Sequence, residues 1–123
     1  MNKEKKLQAS LPKGFKDRWG EELNIKNKLV DTIKDVFINY SFEQLETPEF
    51  EKSDNIGSFL AEDESNPMSD VFSFINEKES LTLRYDLSAP LARFCAENFR
   101  DLVFPYKRFA YGNVFRQEKA DSA

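Results

Sequence analysis

The sequence predicts an α+β domain in which a mostly antiparallel sheet is flanked by helices. Three observations predict it. Apolar residues recur at three-four spacing across residues 20–40, two β-prone runs separated by a polar turn fill 71–84, and the stretch 104–118 separates with period two into unlike faces. The resulting order is helix, strand, excursion, hairpin, helix, strand, with the helices covering one face of the sheet.

At 123 residues the chain makes one domain at most, with enough length for a core. Charged residues, at 33%, exceed the usual quarter, and the net charge of −4 argues against a generally basic nucleic-acid binder. The distribution says more. Residues 1–40 carry 9 basic and 6 acidic groups, 41–86 carry 3 and 12, and 87–123 carry 6 and 4, so an anionic ligand is expected at the C-terminal block rather than the middle. Histidine is absent, which removes imidazole acid–base chemistry and the commonest metal ligand. The single cysteine, Cys95, falls in an apolar helical pattern and reads as a buried bystander; with no disulfide to form, a reducing cytoplasm is the expected location. No apolar run approaches the ~20 residues of a membrane span, and residues 1–6 lead into no secretory hydrophobic region.

Residues 1–10 are polar and expected to be flexible, and 11–17 form an extended or turn segment punctuated by Pro12 and Gly14. A helix follows over 20–40, with Leu23, Leu29, Val30, Ile33, Val36, Phe37 and Tyr40 on one stripe and Glu21 and Glu22 favouring its N-terminal end. Twenty-odd residues give about 30 Å of helix, which must pack on a sheet or on a partner chain. Residues 41–48 read as a short strand stopped by Pro48. Residues 51–70 show no sustained period and read as a surface excursion, with a helical turn at 56–60 and a solvated acidic run at 62–64. The hairpin places strands at 71–75 and 81–84 around 76–80. Asp86 to Pro90 turn the chain into a helix over 89–98, with Ser88 as N-cap and Leu91, Phe94 and Cys95 buried. Residues 102–105 return the chain to the final strand.

In that strand one parity carries Phe109, Tyr111 and Phe115, and the other carries Arg108, Ala110, Gly112, Val114, Arg116 and Glu118. The aromatics make a solid back and the small residues an open floor, with Gly112 a point where a ligand could approach closely. Arg116 and Glu118 stand two positions apart on the floor, a guanidinium suited to a phosphate beside a carboxylate suited to an amine. The plainer alternative is an exposed Arg–Glu pair worth ~0–1 kcal/mol. A second cluster, Arg84 to Ser88, lies where a strand enters a helix, and Asp86 there could hold an ammonium group with the Ser88 hydroxyl beside it. The alternative is that Asp86 and Ser88 only cap the helix and Arg84 neutralises Asp86. Lys107 and Arg108 form a third, basic cluster that reads equally as a solvated pair.

Four segments resemble histidyl-tRNA synthetases. Leu11-Pro12-Lys13-Gly14-Phe15-Lys16-Asp17 is similar to their opening segment, and the helix leading through Phe42 to Pro48 resembles motif 1 of the class II aminoacyl-tRNA synthetases. The run from Leu81 to Arg93 resembles the histidine-enzyme segment built around Leu-Arg-x-Asp/Glu-x-Thr/Ser, and Phe115-Arg116-Gln117-Glu118 matches the Phe-Arg-x-Glu of motif 2. The resemblance covers residues 11–119, a partial class II catalytic domain followed by a tail at 120–123. It implies that Arg116 is catalytic and grips the α-phosphate of ATP, that Glu118 accepts from the adenine amine, and that Asp86 and Ser88 hold the α-ammonium of histidine. It further implies ATP as a substrate accompanied by Mg2+, tRNA as a partner, and a homodimer formed through the 20–48 helix–strand unit. No metal site of the chain's own is implied. After Lys119 the family continues through a loop, a second motif 2 strand, motif 3 and an anticodon-binding domain, whereas here Ala120-Asp121-Ser122-Ala123 follow. The expectation is therefore an N-terminal fragment of a histidine–tRNA ligase, inactive alone. The alternatives are a non-catalytic paralogue, such as the synthetase-like regulatory subunit of histidine biosynthesis, or a dimerisation module.

Overall fold

A computed structural model describes residues 6–60 and 71–117. Its elements are α1 (Gly20–Asn39), β1 (Glu43–Gln44), β2 (Phe50–Lys52), α2 (Ser53–Leu60), β3 (Ser73–Asn76), β4 (Glu79–Leu83), α3 (Ser88–Asn98), a 3-10 turn (Phe99–Asp101) and β5 (Arg108–Phe109). The α+β reading holds, with a three-stranded antiparallel sheet ordered β2-β4-β3 and a separate parallel pair, β1 and β5. Residues 62–64 of the expected excursion, residues 1–5, Glu118 and the 120–123 tail lie outside the described residues.

Helix α1 ends as local chemistry dictates. Ser41 takes a left-handed φ of 67°, its N–H bonds Ile38 O at 3.0 Å, and the N–H of Phe42 reaches back to Phe37 O at 3.0 Å. This is a Schellman closure with serine where glycine is usual, and the accompanying hydrophobic contact is the edge-on pair Phe37–Phe42, centroids 5.6 Å apart. Phe37 also stacks on Phe109 at 5.1 Å, which docks the C-terminal end of the helix on the β1–β5 pair.

The predicted stripe of α1 divides into two. Leu23 and Val30 are half-buried, while Leu29, Ile33, Val36 and Tyr40 stand with Ile25 on an adjacent face that is 48–72% exposed. Burial was expected for the whole stripe. Phe37, in the C-terminal part of the helix, packs on Phe42 and Phe109, while the apolar face nearer solvent stays exposed among the described residues.

The sheet keeps a polar ladder beneath the helices. Thr82, 1% exposed, pairs in register with Glu51 on one side and Ser73 on the other. Its hydroxyl shares hydrogen bonds with Ser53 Oγ at 2.7 Å and Ser73 Oγ at 2.9 Å, so each buried oxygen finds a partner. Glu51, 6% exposed, receives the Arg93 fork from α3: Nη2 to Oε1 at 3.0 Å and Nε to both carboxylate oxygens at 3.2 Å. That bond to Glu51, more than the exposed Glu97, holds the Arg93 guanidinium above its ordinary pKa despite desolvation. The opposite face presents Phe50 and Phe74, edge-on at 5.6 Å.

Three expectations need correction. Residues 50–60 form β2 and a full helix rather than irregular chain with one helical turn. The hairpin is where it was predicted, but β3 starts at Ser73 and the turn is only Glu77-Lys78, with Glu77 at φ 57°. The long final strand shrinks to Arg108–Phe109, because only those residues find a ladder partner, β1. Beyond them the described backbone makes one backbone–backbone bond to the rest of the chain, Phe115 N–H to Arg84 O at 2.9 Å, and Asn113 O accepts from the Arg84 side chain. Without a neighbour an extended chain cannot become sheet.

Candidate functional site

The site assembles where β4 enters α3. The start of α3 presents unpaired N–H groups that something must satisfy. Asp86 Oδ1 does so, accepting from Ser88 N–H at 3.2 Å and Ala89 N–H at 3.0 Å. The predicted cap was Ser88; the structure gives that work to Asp86, with Leu87 at the N-cap position making no side-chain bond and Ser88 exposed as the first helical residue. Both bonds fall on one oxygen, so capping occupies Oδ1 and leaves the role of Oδ2 open to a donor from a ligand.

Arg84 does not neutralise Asp86. Its side chain runs inward, 5% exposed, where Nε donates to Asn113 O at 2.6 Å and Nη1 to Thr47 O at 3.0 Å. This also corrects the reading of Gly112. A Cβ there would collide with Arg84 Nη2 and come within 3.2 Å of Cζ, so the close approach is made by the chain's own guanidinium.

Arg116 comes to the same turn. Its Nε donates to Tyr85 O at 3.3 Å and its guanidinium lies over the Tyr85 ring, 4.4 Å from the centroid. The structure thus brings the Arg116 and Asp86 clusters together across Tyr85, with the Arg116 side chain exposed. The third cluster stays away. Lys107 and Arg108 lie at the β1–β5 pair, where Lys107 O accepts the Glu43 N–H at 3.0 Å.

An open cleft of about 780 Å³ lies alongside, lined by Phe72, residues 113–117 and the segment carrying Lys13, Lys16 and Arg18. Lys16 is partly committed, bonding Glu22 at 2.8 Å and holding that carboxyl below its ordinary pKa. With Arg116, four cations face one concavity, an arrangement that attracts an anion of the size of a nucleotide. The sequence pattern singled out none of Lys13, Lys16 and Arg18 as site residues; the basic excess of residues 1–40 was the signal available. Among the described residues no group of three or more His, Cys, Asp or Glu stands together to hold a metal ion, and no helix is long and apolar enough to cross a membrane.

Comparison with known proteins fits this geometry to a family. The profile of the tRNA synthetases class II core domain (F) matches residues 11–123. The chain belongs to the class II tRNA synthetase core family. It is 59% identical over 123 residues to the histidine–tRNA ligase of Pelagibacter ubique (strain HTCC1062), covering all of this chain and 26% of that protein. The histidyl-tRNA synthetase of Nostoc sp. PCC 7120 superposes with a TM-score of 0.77 at 29% identity, over 90% of this chain and 26% of that one. An ATP phosphoribosyltransferase regulatory subunit/histidyl-tRNA synthetase from Bacillus halodurans C gives a TM-score of 0.78 over 94% of this chain and 30% of that one, and at 24% identity shares the fold. The chain thus spans about a quarter of the length of the curated relative it matches.

Proposed function

We propose that this chain supplies the N-terminal part of the catalytic domain of a histidine–tRNA ligase, contributing one side of the sites for ATP and histidine. The observation that carries the proposal is the meeting of Arg116 with the Asp86 turn across Tyr85. A cation suited to a phosphate near a carboxylate suited to an ammonium is what activation of an amino acid by ATP would use, and this supports the reading.

In that reaction the histidine carboxylate attacks the α-phosphorus of ATP, pyrophosphate leaves, and the histidyl adenylate then transfers its acyl group to tRNA. Arg116 would hold the α-phosphate and stabilise the charge that builds on its oxygens. Glu118, outside the described residues, would accept from the adenine amine. Asp86 would bind the α-ammonium through the oxygen not used in capping α3, with Ser88 at the rim. Magnesium would enter with the nucleotide, held mainly by its phosphates. The exposed stripe Ile25–Leu29–Ile33–Val36–Tyr40 would be the face through which the 20–48 unit pairs with a second copy, in a cytoplasmic homodimer. Because the relatives are about four times as long, the 123-residue chain alone is not expected to activate histidine.

Titration of the chain with ATP tests the nucleotide half. Binding that weakens tenfold or more on Arg116→Ala supports the ligase reading. A flat titration with wild-type protein contradicts it, and favours either a histidine-sensing paralogue that needs no ATP or a module that only dimerises.

A further inference from the structure

We propose that Arg84 is a positioning residue that fixes Arg116 against the Asp86 turn, and that Gly112 is the space this requires. The inference rests on the reading of Arg116 as the phosphate grip. Residue 84 makes four ties. Its N–H donates to Glu49 O at 2.8 Å and its carbonyl accepts from Phe115 N–H at 2.9 Å, while its side chain donates to Asn113 O and Thr47 O at 2.6 and 3.0 Å. Residues 110–117 lie in no strand, so these ties hold in place the stretch that carries Arg116. The hydrogen bonds that tie 113–116 to the rest of the chain include Asn113 O to Arg84 Nε, Phe115 N–H to Arg84 O, and Arg116 Nε to Tyr85 O. Two of these belong to Arg84 and the third to its neighbour Tyr85.

The chemistry of the side chain is specific. A buried cation is costly unless its donors find partners, and here carbonyls on two separate segments accept from Nε and Nη1, with no carboxylate from the described residues. A planar fork spans two such acceptors at fixed angles, whereas an ammonium on a flexible stem cannot hold both in register. Gly112 completes the device. Its φ is not in the left-handed region, so backbone freedom does not explain it; the guanidinium beneath it does. Arg84 therefore acts on substrate through Arg116 and does not touch it.

Nuclear magnetic resonance on the isotopically labelled 123-residue chain, with an ATP titration, tests this. In the wild type the Tyr85 ring, 4.4 Å from the guanidinium, is expected to shift the Arg116 side-chain resonances upfield. Arg84→Lys is expected to abolish that shift and raise the ATP dissociation constant tenfold or more, while the amides of the β3–β4 hairpin keep their positions. Gly112→Ala, which keeps every charge and displaces only the guanidinium, is expected to do the same in smaller measure and decides the matter if Arg84→Lys fails to fold. An Arg116 shift unchanged in both variants overturns the proposal, as does a lost shift with unchanged ATP affinity. Unchanged ATP affinity on Arg116→Ala overturns the phosphate reading instead, and the ring-current shift still supports or refutes the positional claim.

Discussion

Glu51→Gln should cost far more stability than a change of one carboxylate to an amide suggests. Glu51 is 6% exposed and takes three hydrogen bonds from Arg93 at 3.0–3.2 Å, the strut that locates α3, and with it the Asp86 cap, over the sheet. Removing one partner of a buried pair costs about 3–5 kcal/mol, since the other charge stays behind. Arg93 is not fully trapped: its side chain is 25% exposed and it keeps Glu97 at 3.0 Å. Glutamine also retains one acceptor oxygen. The expected loss is therefore about 2–3 kcal/mol, at or below the bottom of that scale. For a chain of this size about 1 kcal/mol moves Tm by roughly 3–6 °C, so thermal unfolding followed by circular dichroism should shift down by ~6–18 °C. Glu97→Gln, which breaks only the exposed pair, should cost under ~0.5 kcal/mol. Equal losses from the two variants, or a shift below ~2 °C for Glu51→Gln, would refute the strut.

Two further outcomes follow from the ends and faces of α1. Ser41→Gly should raise stability by about 0.5–1 kcal/mol, read by urea unfolding, because glycine adopts the left-handed closure without strain; no gain would mean the closure is frayed in solution. Ile33→Asp should leave the fold intact and abolish self-association in analytical ultracentrifugation, since Ile33 is 48% exposed, whereas Phe37→Asp should also unfold the chain because Phe37 stacks on Phe109.

The long-period signals were legible in the sequence. Helix α1 and the 71–84 hairpin fell where periodicity put them, because each is specified by its own residues. What failed was decided by partners distant in sequence. The 104–118 alternation is real, yet strand requires a neighbour, and only Arg108–Phe109 have one in β1. Three-residue β2 is too short to show a period, and Glu51 looked like a surface acid until α3 brought Arg93 to it. At the site, residue type and spacing left Arg116 and Asp86 open between ligand groups and an ion pair or helix cap, and the resemblance to the synthetases is what singled them out. The reason for Gly112 was not legible, because the space it leaves is filled by a side chain 28 positions earlier.

The most direct test replaces the matching quarter of the Pelagibacter ubique ligase with residues 1–123 and measures histidine-dependent ATP–pyrophosphate exchange. The hybrid should exchange, and Arg116→Ala within it should lower the rate by about a hundredfold, as expected for a charge that stabilises the transition state. A folded hybrid that exchanges equally well with and without Arg116 would contradict the assignment of the phosphate grip.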